Sequence, residues 1–263
     1  MTTKMMHSLL AVTLLVSPAF AVEPATKPTT KPFELPKVVV PDDLTGAQLA
    51  VRAQQAFNRG EYATALPLLL KLRSESENQP AKLASIQERI RVCEKALAAA
   101  KAEMEAKVAK GIDPQADLSL RPDNSPEARK PHPAPTPDKT YDLTIQTLGN
   151  FEYDQEKGGN IPDDVQRLTG TPVRLRGYMI PMDQAENITQ FALVPSLFAC
   201  CFGQPPQIQH TIVVNCPKGK AVPYTADEIL VEGKLTVKEK KDDGYIISVF
   251  ELEVASVKLA PQG

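Results

Sequence analysis

A chain of 263 residues, 42% hydrophobic, with 30 basic and 32 acidic side chains and a net charge of −2, has room for two modest domains. So even a balance argues against nucleic acid as a partner, because that role calls for a basic face. Proline outnumbers glycine 24 to 13, so the connecting segments read as stiff and extended.

The first 21 residues have the layout of a secretory signal peptide. Lys4 gives a small positive start, residues 9–16 an apolar core, and Ser17-Pro-Ala-Phe-Ala21 a small-residue cleavage site. That apolar run is too short to cross a bilayer. The expectation is export to the periplasm or the medium after cleavage near Ala21, with no transmembrane segment in the mature chain. The absence of a cysteine directly after Ala21 argues against a lipid anchor. Export permits disulfides and removes access to cytosolic ATP.

Residues 22–41 are rich in Pro, Thr and Lys and read as an extended tether. From Leu44 the apolar period becomes helical. Leu49, Ala53, Ala56 and Phe57 share a face, Gly60 breaks the helix, and Tyr62, Ala65, Leu66 and Leu69 start a second face. The run Phe57-Asn-Arg-Gly-Glu-Tyr-Ala-Thr-Ala65 resembles the turn of a tetratricopeptide repeat. Only one such unit is visible, and a solenoid needs about three. Residues 42–110 therefore read as a tetratricopeptide-like hairpin followed by a long helix from Pro80 to Lys110, carrying Leu83, Ile86, Ile90, Cys93 and Leu97 at helical spacing. Pro67 sits near the start of the second helix, where proline is tolerated only in the first turn. Cys93 falls in the apolar stripe and reads as a buried thiol.

Residues 111–140 form a second proline-rich linker, in which His132 is expected to be solvated and alone. A semi-rigid spacer of this kind predicts two domains that move independently. The second domain, residues 141–260, reads as mainly β. A short strand is expected at 143–147 and helical turns begin at Pro162-Asp163. Strands follow at 173–179, 188–194, 211–215, 229–237 and 245–259, with a charged hairpin loop over 238–244. In the last strand Ile246, Phe250, Leu252 and Val254 share one phase while Val257 and Leu259 take the other, which predicts a bulge. Five strands with Gly177 inside the first suggest a small barrel of the oligonucleotide/oligosaccharide-binding type.

Gly177-Tyr-Met-Ile-Pro-Met182, Phe191-Ala-Leu-Val-Pro195 and Cys200-Cys-Phe-Gly-Gln-Pro-Pro206 together resemble the exported bacterial domain-of-unknown-function family numbered 3299, over residues 143–260. The resemblance implies an envelope protein, with a transporter component linked to metal uptake as one kind of partner. Many members carry Cys-Ile-His before a run of prolines. Here Cys201 and Phe202 follow Cys200, so the family histidine has no counterpart.

The window from Phe198 to His210, with Cys216 beyond it, gathers three of the four cysteines. Thiolates of Cys200, Cys201 and Cys216 with His210 are the ligand types that bind Zn(II) or Cu(I). Along one strand His210 and Cys216 would lie roughly 20 Å apart, so one compact site does not hold them all. The alternative is a disulfide from Cys216 to Cys201 or to Cys200. Pro205 and Pro206 stiffen the loop, and Phe198 and Phe202 serve either as anchors for a partner or as caps on the end of the barrel. No glycine-rich phosphate loop, paired catalytic carboxylates or His-Glu-x-x-His helix is present. The reading is an exported, non-enzymatic binding or assembly protein of the envelope that handles zinc or copper. The competing classes are an interaction scaffold braced by a disulfide and, behind it, a thiol-dependent enzyme.

Overall fold

The computed structural model describes residues 38–41, 43–76, 78–111, 129–136, 139–182, 184–201 and 206–261. The expected signal peptide and most of the tether lie outside the described residues.

Three helices open the fold. Helix α1, Gly46–Asn58, starts at a reciprocal capping box between Thr45 and Gln48 and buries Leu49, Ala53, Ala56 and Phe57, the face read from the sequence. Gly60, at φ 73°, supplies the left-handed residue that turns the chain into α2, Tyr62–Ser74. Across this turn the Phe57 and Tyr62 rings meet edge to face at 5.7 Å. Pro67 stands inside α2, beyond its first turn, and cannot donate to the Ala63 carbonyl. Helix α3, Pro80–Ala109, begins with proline at a position where a missing N–H is harmless. It buries Ile86, Ile90, Cys93, Leu97, Ala100 and Met104 along one stripe and Val92 and Ala96 beside it. So broad a buried surface means that α3 is covered on more than one side.

Six strands form one sheet: β1 Tyr141–Leu143, β2 Pro172–Pro181, β3 Gln190–Val194, β4 Ile212–Asn215, β5 Ile229–Asp242 and β6 Tyr245–Leu259. Their order is β1-β2-β3-β4-β6-β5, and β5 pairs in turn with β2, so the ladder returns on itself. Strand β2 changes partner part-way along, pairing with β5 over residues 172–177 and with β3 over 178–181. Gly177 stands at the changeover, where an added Cβ would lie 2.6 Å from the Val194 carbonyl oxygen. Strands β1 and β2 run parallel, as do β4 and β6; the other pairs are antiparallel.

The predicted bulge is present. Glu232 faces Ser256 but Gly233 faces Val254, so one residue of β6 is skipped and its phase reverses. Two local expectations are corrected. Strand β5 continues through the supposed loop to Asp242, and the chain turns on Asp243 and Gly244 alone, both at positive φ, as a tight two-residue hairpin requires. Residues 145–148 are a helix instead of a strand: Thr144 and Thr147 cap each other reciprocally and start α4, Ile145–Leu148, directly after β1. A further short helix, α5, spans Asp163–Gln166.

Two apolar cores result. Leu175, Phe191, Leu193, Val214, Phe250 and Leu252 belong to the one enclosed by the sheet. The other joins the three helices to Ile180, Ala192, Val194, Leu197 and Cys201. Strand β3 thus sends alternate residues into both cores and is buried on both faces. The independent motion expected of two modules is corrected by this shared core. A proline-rich linker predicts freedom from its own stiffness, but α3 has an apolar side left over and β3 offers it a matching one. His132 is corrected too. It is half-buried, its backbone N–H donates to Asp164 at 2.7 Å, and its ring Nε2 lies 3.2 Å from the Thr147 carbonyl.

Candidate functional site

The cysteine window starts where β3 ends. The Ser196 hydroxyl accepts the Phe198 N–H at 3.1 Å, at the start of the short helix α6, Leu197–Cys201. The same hydroxyl donates to the Glu103 carboxylate of α3 at 2.7 Å. Helix α6 packs against α3. Leu197 and Cys201, 0% and 1% exposed, enter the core shared with the helices. Phe198 is 3% exposed, a buried ring and not the surface anchor considered for it. The Cys200 side chain, Phe202 and Pro205 lie outside the described residues, and Pro206 is half-buried.

Beyond the loop, Ile208–His210 form a single 3₁₀ turn with all three residues buried. Gly149, just after α4, makes this possible: an added Cβ there would strike the Gln209 carbonyl and come within 2.7 Å of the His210 ring. His210 is 2% exposed and its Nδ1 has no hydrogen-bond partner among the described residues. Burial pulls its pKa down to about 4, so the imidazole is neutral at neutral pH. Cys216 lies at the far end of β4, half-buried against the core enclosed by the sheet. Its N–H donates to the Thr189 carbonyl at 2.9 Å, and its thiol reaches the Ile188 carbonyl at 3.7 Å.

The structure therefore spreads the predicted ligands. Cys201 belongs to the helix-side core, His210 is buried beside Gly149 and Cys216 borders the other core. Cys201 and Cys216 are not bonded to each other. Among the described residues, no group of three or more His, Cys, Asp or Glu side chains is arranged to hold a metal ion.

Two residues that the sequence reading did not connect to the window do lie near it. Cys93 of α3 is fully buried in the core that holds Cys201, and burial pushes its thiol far above the ordinary range. Tyr224 packs against this core too, and its hydroxyl is buried without a partner among the described residues. Burial first, then the neighbouring Cys201, Cys93 and Asp227, raise the Tyr224 phenol. Tyr224 also lines a cleft of about 370 Å³ with Glu88, Arg91, Lys95, Glu186 and Asn187. There burial, and then a hydrogen bond shared with Glu186, raise the Glu88 carboxyl, while Arg91, 2.7 Å away, opposes the shift.

A separate clamp fixes the entry to the β region. Asp164, buried at the start of α5, takes both oxygens to Arg129 Nη2, at 2.8 and 2.7 Å. Residues 129–259 match the model of a family described as "Protein of unknown function (DUF3299)". The chain belongs to that family. The matched DUF3299 domain thus begins at the clamping arginine and contains all six strands and the cysteine window, whereas α1, α2, α3 and Cys93 precede it. A crystal structure of a DUF3299 family protein from Pseudomonas aeruginosa PAO1 aligns with 56% of this chain and 95% of its own, at 21% identity and a TM-score of 0.35. No curated protein matches the chain.

Proposed function

We propose that this chain is an exported, non-enzymatic binding or assembly protein of the cell envelope, a DUF3299 domain that carries its own helical arm. Its sheet is read as a small barrel of the oligonucleotide/oligosaccharide-binding type. Counted from β2, the strands run one, two, three, five, four and back to one, the order of that Greek-key barrel. The arm is read as a degenerate tetratricopeptide hairpin extended by α3, and the signal-like N-terminus supports export.

The observation that carries the assembly reading is the core shared by α3 and the outer side of β3. The domain uses an apolar face of its sheet to seat a helical arm of the same chain, and Cys201 contributes to that packing instead of facing solvent. Zinc or copper handling is the second reading. It is favoured by the buried, neutral His210 imidazole with its unpartnered Nδ1, a chemically competent ligand that would need Cys200 and the loop beyond it for company.

Fractionating cells that express the full chain and purifying the protein from the envelope tests both readings. A mature N-terminus at Val22, a cross-linked envelope protein and metal content far below one ion per chain are expected. One zinc or copper per chain, lost in Cys200→Ser, would replace the first reading with the second, and an uncleaved cytosolic protein would sink both.

A further inference from the structure

We infer that Cys93 and Cys201 are a redox pair, a disulfide-forming site that staples the helical arm to the DUF3299 domain. The chain has four cysteines, and these two stand on facing elements, Cys93 in the middle of α3 and Cys201 at the end of α6. Both are essentially unexposed, both belong to one contiguous core, and α3 packs directly on α6. One buried hydroxyl, that of Tyr224, lies within electrostatic reach of both sulfurs. Cys216 belongs to the other core and does not compete for this position.

A single buried cysteine behaves as a small apolar residue. Two on facing helices, in a chain read as exported, meet an oxidising compartment, and to this extent the inference rests on the proposed localisation. The chemistry is thiol–disulfide exchange with a small-molecule disulfide. One thiolate attacks a sulfur of the oxidant to give a mixed disulfide and release one thiol. The second cysteine then displaces the other half. One Cys93–Cys201 bond forms, and the two electrons and two protons leave on two molecules of small thiol. Burial directs this chemistry to the stage at which the arm docks, because the closed core shuts the oxidant out.

The test is done in vitro and so does not depend on localisation. The full chain is unfolded, reduced and refolded with glutathione disulfide, quenched with an alkylating agent and mapped by non-reducing peptide mass spectrometry. Four titratable thiols should fall to two, with one linked peptide pair carrying Cys93 and Cys201 and a Tm raised by more than about 5 °C over the reduced protein. Cys216→Ser should keep the link and Cys93→Ser should lose both the link and the gain in Tm. Cys93 alkylated in full while Cys201 is joined to Cys216 or Cys200, or four thiols surviving refolding, would overturn the pairing. Because the decisive map is made on the unmodified chain, a variant that fails to fold does not blur the result.

Discussion

Ser196 and Glu103, 93 residues apart in sequence, meet across 2.7 Å and join the end of β3 to the last turns of α3. Glu103 also holds Lys107 at 2.9 Å on its own helix, an i,i+4 ion pair that helps to position the carboxylate for Ser196. A hydrogen bond to a charged group of this kind contributes about 2 kcal/mol. Ser196→Ala removes it together with the support for the Phe198 N–H at the start of α6. The expected outcome is a fall in Tm of roughly 4–8 °C and faster hydrogen exchange in the second half of α3. Unchanged exchange in α3 would mean that the contact does not hold the arm.

Local structure in this chain was legible wherever it depends on near neighbours. The spacing of Leu49, Ala53, Ala56 and Phe57 marks α1, Gly60 marks its end, and the reversed phase of Val257 against Val254 marks the bulge in β6. Tertiary choices were not. The periodicity of α3 shows an apolar stripe but not its cover, and the unbroken apolar run Phe191-Ala-Leu-Val194 in β3 does not say which element covers Ala192 and Val194. Thr144 and Thr147 favour strand by composition, yet as a reciprocal cap they start a helix. In the cysteine window, Cys201, His210 and Cys216 are close in sequence but are carried by three elements into three surroundings, which spacing alone does not reveal.

Gly177 allows β2 to exchange β5 for β3. The Ala side chain at this position would put its Cβ 2.6 Å from the Val194 carbonyl oxygen and 3.0 Å from Ile145 Cδ1. Backbone cannot step aside as a flexible side chain can, so Gly177→Ala should lower stability by about 2 kcal/mol. Chemical denaturation is the measurement. A midpoint equal to that of the unmodified chain would show that the two strands part there with ease.

His210 should make the protein acid-sensitive between pH 6.5 and 4. Burial lowers its pKa from 6.5 to about 4, so over this window the unfolded chain binds the proton more readily than the folded one. Stability is complete above pH 6.5 and falls as the pH drops towards 4, by about 3 kcal/mol in all. His210→Leu, which also removes an unpartnered Nδ1, should flatten this part of the profile at little cost near neutral pH. An imidazole that titrates by NMR near 6.5 in the folded protein would refute the assignment.

Asp164 should govern a second, more acidic step. Burial alone would raise its carboxyl, but the Arg129 guanidinium, the His132 N–H and the Arg129 charge outweigh it and hold the group below its ordinary 3.8. A depressed carboxyl stabilises the fold above its unfolded pKa, and that contribution is lost as the pH falls below about 4. The two steps can thus be separated by pH and by variant. Asp164→Asn should remove the step below pH 4, leave the His210 step in place and cost roughly 3 kcal/mol at neutral pH, because Arg129 keeps three-quarters of its side chain buried with its carboxylate gone. Arg129→Met, which removes the stranded charge on the other side, leaves Asp164 as the buried ion and should instead raise its pKa. A direct carboxyl titration by NMR distinguishes the two variants, and an Asp164 that titrates at its ordinary value in the unmodified chain would show that Arg129 does not clamp it.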